Sequence, residues 1–277
     1  MPSETKKILT NLGRVQDFSF DRPTAIPQRI NITSYGGAQY ILENQDKYKV
    51  TWHEGLTWLM GAGGGRFMLS GDSDLHASQR KCMHAQLYRE GWKASIKAFY
   101  AQITDQLIRE KSYRLAGTNF VDIVRDVGNI GPTHFAARVF NLPLKTKDNP
   151  RGIYSEQELY MVLAVIFVCI FFDFDPVKSF PLRHAARAVA TQLGKLVEAN
   201  VGVVTGFGFR GMFAGKPAKD DPLASYGVNL IKGLKKAGLN NYDIAWSQIL
   251  PTAGASVPNV AEVVGQHKST CMLKVKS

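Results

Sequence analysis

Cysteine is scarce: three residues in 277, at Cys82, Cys169 and Cys271. An odd number spread so widely argues against a disulfide framework or a zinc site and fits a reducing compartment. Long hydrophobic runs are lacking too. The longest, Met161 to Phe172, has 12 residues, short of the roughly 20 that cross a bilayer. The start, Met1-Pro-Ser-Glu-Thr-Lys-Lys-Ile-Leu9, holds no apolar core of signal-peptide length. These absences predict a soluble protein, cytoplasmic, with peripheral contact at membranes or lipid bodies left open. Low-complexity tracts and solenoid repeats are absent as well. Acidic residues are the minority sign, 23 against 34 Lys and Arg, giving a net charge of +11. Such an excess raises nucleic acid and anionic membranes as partners. The basic residues are scattered, however, and the densest run is only Lys232-Gly-Leu-Lys235-Lys236. No basic stripe interleaved with aromatics is present, so nucleic acid is not the expected partner.

What the chain does have is helix. An apolar share of 45% supports a substantial core. Arg29-Ile-Asn-Ile-Thr33 alternates like a short strand, and Ser34 to Asn44 reads as a capped helix. A glycine cluster, Gly61-Ala-Gly-Gly-Gly65, follows and reads as a loop. Without Gly-Lys-Ser/Thr or a third spaced glycine it is a weak nucleotide site, and a mobile loop over a cofactor or channel is the better reading. Helices are then expected over 73–88, 91–111, 121–140, 155–172, 182–204, 223–237 and 242–264. Ser155-Glu-Gln-Glu158 is a capping box, and Gly238 ends its helix with two lysines near the negative end of the dipole.

Three segments carry candidate chemistry. In Gly71-Asp-Ser-Asp-Leu-His-Ala-Ser-Gln-Arg80, Asp72 or Ser73 caps a helix and puts His76 and Arg80 on one face. A guanidinium fork with a neighbouring histidine donor suits a carboxylate or phosphate, and a plain solvated face has the same pattern. His84 continues that face and reads as a surface histidine. His134, within an apolar stripe, reads as a satisfied core or boundary residue. The run from Tyr160 to Phe172 is apolar all round and should be buried. Near the end, Ile249-Leu-Pro-Thr-Ala-Gly-Ala-Ser-Val-Pro-Asn259-Val-Ala-Glu262 is a helical segment with two prolines and one amide. Interior proline costs a helix about 3 kcal/mol, and small residues beside it let another body approach closely.

This last segment resembles the long central helix of cytochrome P-450 domains, and more narrowly that of fungal linoleate diol synthases and psi-factor-producing oxygenases. The His76–Arg80 pair and the leucine-proline break at Leu142-Pro143 are similar to features of the same family, and the resemblance covers about residues 4 to 266. It implies a mainly α chain with an incomplete cytochrome P-450 fold, truncated after the long central helix. The expected layout is a linker at 1–28, the front of the domain at 29–266 and a non-family tail at 267–277. It also implies heme as cofactor, with His76 and Arg80 gripping a propionate and no metal ligand in this chain. Both the Glu-x-x-Arg pair and the cysteine loop that ligates iron are missing, so the fragment is expected to be inactive.

Oxygen-activating members carry an acid-alcohol pair on the central helix. The diol synthases instead have an asparagine, matched here by Asn259, associated with isomerising fatty-acid hydroperoxides. Val260 stands where that group usually has glutamine. The resemblance implies that the intact relative converts an 8- or 10-hydroperoxide of linoleic or oleic acid to a diol, or leaves it unrearranged. From the residues alone, Asn259 also reads as a cap at a proline-kinked break, the less favoured of the two. The rival reading of the whole chain is a non-catalytic helical protein that binds lipid or a partner.

Overall fold

Serine hydroxyls start the helices where the sequence places them. Ser34 accepts a hydrogen bond from Gly37 N–H at 3.2 Å and opens α1, Tyr35–Glu43. Ser155 and Glu158 exchange side-chain and backbone hydrogen bonds at the start of a later helix, Glu156–Phe171. In the computed structural model the described residues are 31–44, 46–50, 52–172, 180–206, 211–212 and 220–266. The expected linker at 1–28 and the tail at 267–277 with Cys271 lie outside them. The chain divides into two units, Met1–Asn44 and Gln45–Ser277. Within the first unit α1 is the described element.

The second unit is mainly α. Its helices are α2 (Trp52–Gly65), α3 (Asp74–Leu87), α4 (Trp92–Lys111), α5 (Ile130–Phe140), α6 (Glu156–Phe171), α7 (Phe180–Gly206), α8 (Tyr226–Lys236) and α9 (Leu250–Gln266). A π-helical turn, Ile123–Gly128, leads into α5, and a second, Ile244–Ile249, leads into α9. The core lies where α9 meets α5 and α6 and where α7 crosses α2 and α6. Leu159, Leu163 and Ile166 of α6 and Leu193, Val197 and Val201 of α7 are fully buried or nearly so. Spacings of i, i+4, i+7 in α6 and i, i+4, i+8 in α7 draw one stripe along each helix, and each such side chain contributes about 1.5–3 kcal/mol.

Three expectations are corrected. Of the short strand expected over 29–33, residues 31–33 form no strand, and 29–30 lie outside the described residues. Strands form instead at Tyr113–Leu115 (β1) and Thr118–Phe120 (β2), an antiparallel hairpin pairing Tyr113 with Phe120. Its turn residues, Ala116 and Gly117, have φ of 48° and 79°, the positive pair that matches hairpin twist. The glycine cluster is not a loop. It is the second leg of α2, which bends at Gly61 (φ 64°) and buries Gly63, Gly64 and Gly65. Gly61 alone needs left-handed backbone there. The third correction concerns α6, which is not covered all round: Met161, Val168 and Phe172 are exposed. Among the described residues no helix is long and apolar enough to cross a membrane.

Candidate functional site

The composite helix ending in α9 begins where Asn240 caps the turn Asn241–Asp243. Pro251 has no N–H to return to Ser247, and the backbone widens just before it, with Leu250 N–H reaching the carbonyl of Ala245. Pro258 likewise deprives the Gly254 carbonyl of its i+4 donor. At Gly254 a Cβ would stand 3.1 Å from Ile166 Cγ2, so α6 packs directly on the backbone there. Around these prolines the polar side chains fold back on their own helix. Thr252 donates to the Gln248 carbonyl, Ser256 to that of Ala253 at 3.2 Å, and Asn259 Nδ2 to that of Ala255 at 2.7 Å.

Gln248, Thr252, Ser256 and Asn259 share one side of the composite helix at i, i+4, i+8 and i+11. Exposure rises along them: Gln248 and Thr252 are buried, Ser256 is half-buried and Asn259 is exposed. One N–H of Asn259 and its Oδ1 are uncommitted among the described residues. No acid-alcohol pair precedes Glu262.

At the buried end, Gln248 Nε2 donates to Gln79 Oε1 and ties the composite helix to α3. His76 and Arg80 lie on α3 with Gln79, which bonds to Gln248 at the start of the stripe. Asn259 lies 11 residues further on, about 16 Å at 1.5 Å rise per residue.

His76 is half-buried and engaged at both ring nitrogens. Nδ1 accepts from Ser73 N–H at 3.3 Å and lies 2.8 Å from Ser73 Oγ. That leaves the ring proton on Nε2, which faces Ser70 Oγ at 3.0 Å and the Gly65 carbonyl at 3.2 Å. Arg80 is exposed and makes one bond, Nη2 to the Met68 carbonyl at 3.2 Å. Among the described residues no carboxylate pairs with it.

His84 is exposed against Tyr88, as expected of a surface histidine. His134 is buried and its Nε2 lies 2.6 Å from Glu156 Oε1, while Lys111 Nζ lies 2.6 Å from Glu156 Oε2. It is a satisfied core histidine. It borders a cavity of about 250 Å³ shared with Phe99, Ile103, Arg138 and Asp221, and His76, Arg80 and Asn259 take no part in that cavity. The hydrogen bond from His134, with Lys111 in support and burial opposing, holds the Glu156 carboxyl down from 4.5 to about 2. A depressed folded-state value stabilises the fold above the unfolded pKa, and the gain is lost as pH falls from about 4.5 toward 2. Glu156→Gln is expected to flatten the acid limb of urea midpoints measured between pH 5 and 2; an unchanged limb would remove this pair as its cause.

Over 267 residues the chain is 62% identical to a bifunctional dioxygenase–epoxy alcohol synthase of Fusarium oxysporum, covering 96% of this chain and 21% of that protein. A protein of the same description from Pyricularia oryzae is 60% identical over 96% of the chain and 23% of its own length. Psi-producing oxygenase A of Emericella nidulans is 45% identical over 96% of the chain and 25% of its length. Over this shared segment, the chain belongs to the fungal psi-producing oxygenase and linoleate diol synthase family. It spans about a fifth to a quarter of the length of these relatives. No family model matches the chain, and no solved structure matches it either.

Within this segment several long-range contacts had no sequence signal. The Gln79–Gln248 amide pair joins residues 169 positions apart, and nothing local to either glutamine marks it. The seat of Trp246 between Gly63 and Gly194 is equally unmarked, although two glycines inside helices hint at close backbone approach.

Proposed function

We propose that this chain forms the part of a fungal fatty-acid oxygenase that holds a fatty-acid hydroperoxide while it is isomerised. Asn259, an exposed amide on a proline-broken helix with no acid-alcohol pair beside it, carries the reading. An epoxy alcohol and a diol have the same elemental composition as the hydroperoxide they come from, so neither product needs an added oxidant, electron donor or reductase. The names of the two more similar relatives favour the epoxy alcohol, and Val260 beside Asn259 bears on that choice.

The cofactor in this reading is heme, which when bound supplies the one-electron chemistry that opens an O–O bond. The described residues fit one end of it. Arg80 offers a guanidinium fork to a propionate. Cys82 and Cys169 do not suit its iron: the Cys82 thiol is pushed up by burial, and Cys169 is buried within α6. What the chain itself contributes is binding and orientation. Ile166 packs on the backbone of Gly254 beside Ala253, all of them buried, and backs the helix that carries Asn259. Asn259 can donate to one peroxide oxygen and accept from the other, fixing the peroxide without delivering a strong acid.

The test is a chimera in which this chain replaces the matching segment of the Fusarium oxysporum relative. It is expected to consume linoleate hydroperoxides without any electron donor and to yield isomeric products. Turnover only with a reductase, or oxygen taken from a source other than the hydroperoxide, would overturn the proposal. Binding without turnover would instead support a lipid-binding role, to which exposed Met161, Val168 and Phe172 would contribute.

A further inference from the structure

His76 and Arg80 share a helix face, yet their surroundings divide the work. The two nitrogens of His76 face four protein groups: Ser73 N–H, Ser73 Oγ, Ser70 Oγ and the Gly65 carbonyl. Ser70, itself buried, donates to the carbonyls of Gly65 and Phe67 at 2.7 and 2.8 Å. At Gly71 a Cβ would fall 2.6 Å from the His76 ring, so only glycine lets the chain pass this close. The ring thus sits inside the bend that joins α2 to α3, bonded to both sides of it. The same bend is anchored from the other direction: Arg66 pairs with Asp243, and Gly63 N–H donates to Tyr242 Oη at 3.3 Å. Between these anchors the Met68 carbonyl is held where it accepts from Arg80.

We propose that His76 is a positioning residue, which locks the Gly65–Ser70 bend onto α3 and gives no hydrogen bond to a bound carboxylate. Arg80 is then the carboxylate ligand of this face, oriented by the bend. For His76 to bind an anion through Nε2 it would have to release Ser70 and Gly65 and loosen the bend that aims Arg80. The carboxylate can come from a heme propionate or from a free fatty acid. The role of Arg80 rests on the function proposed above, whereas the role of His76 stands on the geometry of the bend.

The experiment uses the 277-residue chain with three probes: ferric protoporphyrin IX, its dimethyl ester and linoleate. Hydrogen–deuterium exchange is read at the amides of Phe67 and Ser70, which bond to Gly64 and Phe67 carbonyls. His76→Phe keeps the ring and removes its nitrogens. It is expected to speed exchange at both amides about tenfold or more, since roughly 1 kcal/mol goes with each lost hydrogen bond, and to lower probe affinity only together with that loosening, because the bend aims Arg80. Arg80→Gln is expected to lower affinity about tenfold with a smaller change in exchange. Ser70→Ala, which leaves His76 free to reach a ligand, should match His76→Phe in exchange. Loss of affinity in His76→Phe with wild-type exchange at both amides would overturn the proposal, as would Ser70→Ala binding a probe more tightly. Weak binding of the dimethyl ester beside tight binding of the free acid identifies the propionates, and binding of linoleate alone identifies the fatty acid. A chain that binds no probe removes the ligand role of Arg80 and the heme reading, while exchange still decides the role of His76.

Discussion

Gly194→Ala is expected to destabilise the second unit by about 2 kcal/mol or more. A Cβ at Gly194 would lie 2.2, 2.4 and 2.7 Å from three carbons of the Trp246 six-membered ring. The ring has nowhere to go. On its other side a Cβ at Gly63 would stand 2.4 Å from Trp246 Cβ, and the indole N–H donates to Glu198 at 2.8 Å. Trp246 is thus seated between α2 and α7, and it is 7% exposed. Overpacking of such a site costs about 1–3 kcal/mol and at times more. The roughly 1 kcal/mol that alanine gains over glycine in a helix offsets only part of it. In a thermal melt the loss should appear as a fall of about 4–8 °C. Trp246→Phe removes the clashing ring at the expense of the Glu198 bond, so the double variant should be less destabilised than the sum of the two single ones. An unchanged melt for Gly194→Ala would show that α7 and the π-helical turn are not packed as described.

That packing explains what was and was not legible in the sequence. Elements announced by local chemistry were readable, because a capping hydroxyl or a terminal glycine acts within a few residues. Ser34, Ser73 and Ser155 begin helices, and Gly238, with φ of 96°, follows the last turn of α8. The helical leg at Gly61–Gly65 was not readable, because glycine's poor propensity there is overridden by a contact with Trp246, some 180 residues away. The hairpin at 113–120 has strands of three residues each, too few for alternation to register. The site divides the same way. That His76 and Arg80 share a face follows from their spacing, and the structure agrees. What each ring nitrogen bonds to depends on Gly65 and Ser70, across the bend, and spacing does not reach that far. His134 was legible as a satisfied residue, although its partner Glu156, at the first turn of α6, was not.

Asn259→Leu carries the larger functional effect. In the chimera described above it is expected to lower hydroperoxide turnover about 10²-fold, the loss that follows removal of one donor aimed at developing oxygen charge. Leucine matches the side chain in size and keeps the helix, and it cannot donate or accept. Because Asn259 is exposed and its fold-back bond to Ala255 spans a single helical turn, stability should change by less than about 1 kcal/mol. A loss of turnover with an unchanged melt therefore reports chemistry and not folding. Asn259→Gln moves the amide outward by one methylene, so it should restore part of the rate with a shifted product ratio. Val260→Gln places a second amide next to the first, and its effect should be on product ratio with the rate largely kept. Full activity in Asn259→Leu would show that the peroxide is held elsewhere, and would leave Asn259 as a polar side chain that closes the break at Pro258.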